Sequence, residues 1–297
     1  MASLGLPFQG TAWYWVEATY GGGASGTTLP LSCKIQDVRI GIGDRHTSLR
    51  GIDNAVVCKL LTQPYDYTLH VEYIPQHGDT LLTDVIDRTS QCTLQSLAFC
   101  VGANTKCSAA ADKSYYYMVG CKPKSVKVNS STGKEWLVSI DFSVKSTTTG
   151  TAYTGGPPTA LTGQYLYFNY AGSITKDLAA VAYTVETVDV TVSHKITDHW
   201  DHDSLVKQYA IEGDMDVEGS IDITLDEGGS SHFAEVVSQT SFSLVINMGA
   251  AGAPKITIPY CQWKTSEIDI NVSGEDMRES APFTGKPSVC TLMGIVT

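Results

Sequence analysis

From one end to the other, this chain alternates apolar and polar residues with a period of two. Val38, Ile40 and Ile42 share one parity, and Leu69, Val71 and Tyr73 do the same, with Thr68, His70 and Glu72 between them. The pattern returns at Val138, Ile140 and Phe142, at Val188, Val190 and Val192, and at Ile221, Ile223 and Leu225. It closes with Phe242, Leu244 and Ile246, then Ile268, Ile270 and Val272. Successive side chains of a strand point to opposite faces, so this spacing predicts half-buried antiparallel strands. Val, Ile, Thr, Tyr and Phe dominate these runs, as a pleated, half-buried surface favours. The expectation is an all-β fold.

Helix is scarce. Leu81, Leu82, Val85 and Ile86 follow helical spacing within residues 79–88, and Phe233, Val236 and Val237 follow it within 230–239. Each segment comes after a Gly-containing turn with Asp, Thr or Ser available as a cap. The two helices reveal a repeat. In each half a strand is followed by a turn, one short helix, an apolar strand, a loop and another strand. That last strand reaches Cys121-Lys122-Pro123-Lys124-Ser125 in the first half and Cys261-Gln262-Trp263-Lys264-Thr265 in the second. The shared order predicts two related β-sandwich or curved-sheet domains, over 1–150 and 151–297, each with one short helix. Residues 146–151 and 154–159 have loop composition and read as the linker. Residues 274–297 are expected to form an arm, because a charged run is followed by Pro282 and Pro287.

Composition narrows the function. The 297 residues hold 31 Asp and Glu against 20 Lys and Arg, a formal net charge of -11. That sign repels a nucleic-acid backbone on average, and no basic stripe offsets it. No apolar run approaches the roughly 20 residues that span a bilayer. The N-terminus lacks the basic and apolar regions of a Sec-type signal. The 8 cysteines include no Cys-x-x-Cys pair. A local disulfide among Cys92, Cys100 and Cys107 and buried free thiols both fit, with the free thiols preferred. Nucleophile-elbow, zincin and phosphate-loop motifs are missing. The chain does not read as an enzyme, and no cofactor or metal is expected.

Three constellations remain. His194, Asp198, His199, Asp201, His202 and Asp203 crowd around Trp200. Their spacing matches no metal motif, and a polar hairpin tip that grips a neighbouring subunit is the preferred reading. Trp13, Tyr14, Trp15 and Tyr20, and Tyr115 to Tyr117, read either as core or interface aromatics or as a carbohydrate platform. The third is the segment 213–226. As one continuous strand it puts Asp214, Asp216, Glu218, Asp222 and Asp226 on one face and Met215, Val217, Ile221, Ile223 and Leu225 on the other. Burying five carboxylates is too costly, so that face must be wet. Repeated around a ring, it lines a hollow with negative charge, which keeps a passing polyanion from sticking.

The acidic strand, the short helix at 231–239, the strand at 242–246 and the closing strands at 256–259 and 267–272 together resemble the tail tube proteins of long-tailed bacterial and archaeal viruses. The resemblance implies a β-sandwich flanked by a helix that lends a curved sheet to a ring. It implies rings stacked into a hollow tube that conducts viral DNA, in a virion tail assembled in the host cytoplasm. With two such domains per chain, it implies a homotrimer ring with pseudo-sixfold symmetry. Implied partners are tail terminator, baseplate and tape-measure proteins, with no membrane. The lumen candidates are then Asp214, Asp216, Glu218, Asp222 and Asp226, with Asp66 and Glu72 in the first domain. Assembly candidates are Trp13, Trp15, His199, Trp200, His202, Met277 and Arg278, with the loop at 47–54. A cell-surface or pilus-like β subunit and a carbohydrate-binding sandwich remain as rivals, and a capsid or baseplate protein is a near neighbour.

Overall fold

The alternating segments form strands, and these build an extended antiparallel sheet in the computed structural model. The structure describes residues 10–23, 27–31, 35–43, 46–50, 57–62, 64–87, 93–104, 113–150, 161, 166, 174–177, 179–180, 184–225, 233–249, 254–265, 267–269, 277–285 and 294–295. The first half supplies β1 (Gly10–Val16), β2 (Leu29–Pro30), β3 (Ile35–Ile42), β4 (His46–Arg50), β5 (Val57–Thr62) and β6 (Tyr67–Tyr73). Helix α1 (Leu81–Ile86) follows, then β7 (Leu97–Asn104), β8 (Lys113–Ser131), β9 (Leu137–Val144) and β10 (Ser146–Gly150). The second half supplies β11 (Ile174–Lys176), β12 (Ala179–Ala180), β13 (Thr184–Trp200) and β14 (Lys207–Leu225). Helix α2 (Phe233–Ser238), β15 (Phe242–Asn247), β16 (Lys255–Trp263), β17 (Glu267–Asp269), β18 (Met277–Gly285) and β19 (Gly294–Ile295) complete it.

One sheet crosses both halves in the order β3-β6-β9-β8-β13-β14-β18, every neighbour antiparallel. Short β17 pairs with the far side of β18. The apolar parity of this sheet faces the core. Leu69, Val71, Val126, Val128, Ile140, Phe142, Val188, Val190, Val217, Ile223 and Phe283 are all at most 1% exposed. Each such burial contributes about 1.5–3 kcal/mol. A second layer packs on that side. In the first half it is β1, β7, the front of β8 and β10, with β2 on β1. In the second half it is β12, β11, β15 and β16.

Strand β8 belongs to both layers. Its residues up to Cys121 pair with β7 and β10, and those from Lys122 onward pair with β9 and then β13. Gly120 stands at the change of layer with φ +65, and a Cβ there would lie 2.5 Å from Lys145 Cβ. Glycine alone takes that backbone without strain. In the second half β16 makes the same passage, from β15 to β18 at Cys261. The two Cys-x-x-Lys segments therefore mark equivalent corners.

Several expectations change. Residues 146–150 form β10 on Tyr115–Val119 and not a loop, because a Thr-rich run suits an edge strand. Residues 277–285 are likewise no arm: β18 pairs along β14 from Val217 to Leu225, with Ala281 and Phe283 buried. Pro282 and the charged Glu279 hid this strand from the pattern. Strand β13 runs on to Trp200, so His194, Asp198 and His199 lie on a strand and not at the hairpin tip expected for the His/Asp cluster. Helix α1 is shorter than the expected segment 79–88, and Val237 of α2 is 70% exposed although it lies on the apolar spacing. Helix α1 buries Leu81, Leu82, Val85 and Ile86, and the Asp79 carboxylate accepts the Leu81 N–H at 2.9 Å. Among the described residues, no helix is long and apolar enough to cross a membrane.

Candidate functional site

The face of the long sheet turned away from the core is polar across its whole width. Directly opposed residues in antiparallel strands share a face, so the register identifies its members. Arg39 stands opposite His70, His70 opposite Asp141, and Glu72 between Asp37 and Ser139. Asp141 faces Ser125, Lys127 faces Thr191, Asn129 faces Asp189, and Thr191 faces Glu218. Asp222 lies between Thr187 and Ser280, and Glu218 between Thr191 and Thr284.

Strand β14 is the most acidic part of this face. Met215, Val217, Ile221 and Ile223 are buried, while Asp214, Asp216 and Glu218 are exposed and Asp222 is half-buried. Asp222 is held by the hydroxyls of Thr187 and Ser280, the latter at 2.7 Å. Glu218 meets Lys264 at 2.5 Å with its side chain 62% exposed. Asp226 lies outside the described residues. On neighbouring strands Lys127 pairs with Asp189 at 2.7 Å, His70 with Asp141 at 2.7 Å, and Arg39 with Asp37. Glu72 sits half-buried on the same face. The arrangement is a shallow, carboxylate-rich surface with hydroxyls between the charges. It offers hydration and repulsion of anions, not a converging set of catalytic groups.

Asp66 has a different position. It precedes β6 and holds the fully buried Lys207 ammonium at 2.9 Å. Lys207 also meets Asp198 at 2.9 Å and donates to Ser143 Oγ at 2.6 Å. The hairpin β13–β14 thus spends its polar residues on its own first half. Glu212 pairs with Lys122 at 2.6 Å and accepts the Leu94 N–H at 2.6 Å, and the Tyr65 N–H donates to the Leu205 carbonyl at 2.8 Å. Trp200 donates to the Tyr65 carbonyl at 3.2 Å, and His199 stacks on Tyr209 with ring centroids 4.9 Å apart. His194 is buried, whereas Asp201, His202 and Asp203 are exposed at the turn. The His/Asp cluster of the sequence therefore diverges into separate roles. Among the described residues, no three His, Cys, Asp or Glu side chains gather as a metal set.

Trp13 and Trp15 are buried at 4% and 2% exposure with Ala98 and Cys100, under Tyr115 and Tyr117. Trp15 stacks on Tyr117 at 6.3 Å. Met277 and Arg278 begin β18, and Arg278 is exposed beside Glu186 at 3.6 Å. Of the loop predicted at 47–54, residues 47–50 belong to strand β4, which pairs with β5 as a hairpin, and residues 51–54 lie outside the described residues. Cys100, Cys121 and Cys261 are free and buried. Burial pushes the Cys100 and Cys261 thiols up to about 12, which leaves them protonated and inert. Cys33, Cys92, Cys107 and Cys290 lie outside the described residues.

Sequence reading missed Glu17. Its buried carboxylate accepts the N–H groups of Gly21, Gly23 and Gly120 and the Ser96 hydroxyl, between 2.6 and 3.1 Å. It also missed Asp37, Asp141 and Asp189 on the polar face. Extending the parity argument to the strand at 187–193 would have found Asp189.

The model of a family described as "Phage tail tube protein" matches residues 3–288. Among solved structures, one match is the SPP1 tail tube, a hybrid solid-state NMR and cryo-EM structure. It is 14% identical with a TM-score of 0.36, over 47% of this chain and 75% of that one. Comparison with curated proteins gives no match. With nearly its whole length matched, the chain belongs to the phage tail tube protein family.

Proposed function

We propose that copies of this chain close into rings, that the rings stack into the hollow tube of a virion tail, and that the polar face of the long sheet lines the bore through which viral DNA passes. The observation that carries this reading is the continuity of that face, with Asp214, Asp216, Glu218 and Asp222 at its acidic centre and Glu72, Asp141 and Asp189 beside them. Like charge and bound water keep a polyanion moving without a binding site. The role is structural and not enzymatic.

Domain duplication is supported by partner succession. Strands β3, β6 and β9 pair in the order that β13, β14 and β18 repeat, and both halves place their helix after the middle strand. On this reading, residues 1–150 and 151–297 are two tube domains, and three chains give a pseudo-hexameric ring. The turn at 201–206, with His202 and Leu205 exposed near Trp200 and His199, is the proposed contact between rings, together with Arg278 at the start of β18. Terminator, baseplate and tape-measure proteins are the partners such a tube meets in the host cytoplasm.

Negative-stain imaging of the purified protein tests the reading. Rings or tubes with a central bore are expected. A chain that stays monomeric at high concentration overturns it. A second measurement addresses the bore. Tubes carrying Asp214→Lys, Asp216→Lys and Asp222→Lys should retain labelled DNA oligonucleotides that wild-type tubes release. Equal retention by both would refute the lumen assignment.

A further inference from the structure

The contact between the two halves supplies a template for the contact between two copies. Within the chain, the second part of β8 pairs with β13, placing Val128 opposite Val190, Asn129 opposite Asp189 and Lys127 opposite Thr191. Register locates the equivalent residues at the two outer ends of the sheet. Across β9, β6 and β3, successive partners are Phe142, Leu69 and Ile40, and across β18, β14 and β13 they are Phe283, Gly219 and Val190. Ile40 therefore holds the place of Val190, and Arg39 that of Asp189. Val128 faces Val138, four residues before Phe142, and Ile268 faces Glu279, four residues before Phe283. Ile268 holds the place of Val128, Glu267 that of Lys127, and Asp269 that of Asn129.

We infer that β3 of one copy pairs antiparallel with β17 of a second copy, Ile40 opposite Ile268, with Arg39 opposite Asp269 and diagonal to Glu267, as Asp189 is opposite Asn129 and diagonal to Lys127. Charge complementarity supports this occupant. The internal seam carries Lys127 with Asp189 at 2.7 Å. At the outer edges both signs are reversed, Glu267 standing for the lysine and Arg39 for the aspartate, so the pair stays attractive. Incomplete burial supports it too. Val188 and Val190 are each 1% exposed, whereas Val38 and Ile40 at the equivalent places are only partly buried and Ile42 is 64% exposed. Val38, Ile40 and Ile42 also border an open hollow against Val101 and Tyr116 of the outer layer. Among the described residues β3 pairs only with β6, so its other edge offers a row of backbone donors and acceptors. The occupant that repeats the internal seam leaves a closed ring with no such edge.

This inference rests on the ring reading above, and its test separates the two. Arg39→Glu on one edge, and Glu267→Lys with Asp269→Asn on the other, are made singly and together, the combination carrying the same charges as Asp189, Lys127 and Asn129 at the internal seam, with far-UV circular dichroism to confirm folding and imaging plus sedimentation to follow assembly. Each single variant should lose tubes and sediment as the single chain at low salt. The double variant should regain tubes. Mixing the two single variants should give paired chains by sedimentation that neither gives alone, since both mixed junctions are attractive. A three-membered ring cannot alternate two kinds of chain, so tubes should return with the double variant and not with the mixture. Wild-type tubes with single variants that assemble normally, or a folded double variant that stays dispersed, overturn the seam and leave the ring reading intact. Wild-type protein that never assembles overturns both.

Discussion

Asp79 shows how one residue can set the pH at which the first half is most stable. Burial pushes its carboxyl from 3.8 up to about 6, with nearby Asp84 adding repulsion and the Leu81 N–H opposing the shift. A carboxyl raised in the folded state binds its proton more tightly there than in the unfolded chain. Its cost is absent below about pH 4 and grows as pH rises through 6, reaching about 3 kcal/mol when fully ionised. Asp79→Asn should therefore raise the melting temperature at pH 7.5 and change it little at pH 4. A drop at both values would mean the carboxylate is needed as helix cap more than it costs in burial. Glu17 is the opposite case, a buried carboxylate with all its bonds made. Glu17→Ala strands several backbone N–H groups at once, and a loss of about 3 kcal/mol in denaturant unfolding is the expected result. Wild-type stability in that variant would show that the turn at 17–23 satisfies itself.

At the scale of elements, the core face of β14 leaves out a side chain at Gly219 because the Phe283 ring of β18 lies over it. A Cβ there would come within 2.5 Å of that ring and 2.4 Å of the Asp189 carbonyl oxygen. Gly219→Ala should cost about 1–3 kcal/mol through overpacking, partly recovered by Phe283→Leu; denaturation curves of the single and double variants check this. The hairpin β13–β14 depends on Lys207. Lys207→Met leaves Asp198, 8% exposed at its side chain, facing Asp66 without the ammonium. A loss of about 3 kcal/mol is expected, with faster proteolysis in the turn 201–206. Unchanged cleavage would show that the apolar contacts alone hold the hairpin down. These elements differ in how legible they were in the sequence. Strand faces could be read because side-chain direction is local and alternates at every residue, so Met215, Val217, Ile221 and Ile223 announced their burial. Strand β18 could not, since the buried Glu279 occupies the apolar parity and Pro282 interrupts the run. Pairs such as Lys122–Glu212 and Lys207–Asp66 join residues far apart in the chain. Nothing near either partner in sequence points to the other.

For the whole molecule, the acidic strand and the order of the helix and strands that follow it were the sequence features that led to the family, and both depend on pattern more than on any motif. The extent of the polar face was not visible, because it depends on which strands become neighbours. The join between β8 and β13 has a consequence for assembly energetics. Both strands belong to one polypeptide, so this joint closes during folding and spends none of the translational and rotational freedom that separate bodies lose on meeting. Tethering keeps the two surfaces at high local concentration whatever the protein's abundance. In the ring proposed above, a closed circle of such chains would be built from half as many independent pieces as one of single units, with the order of the two halves fixed by the chain and each half free to specialise for its own neighbour.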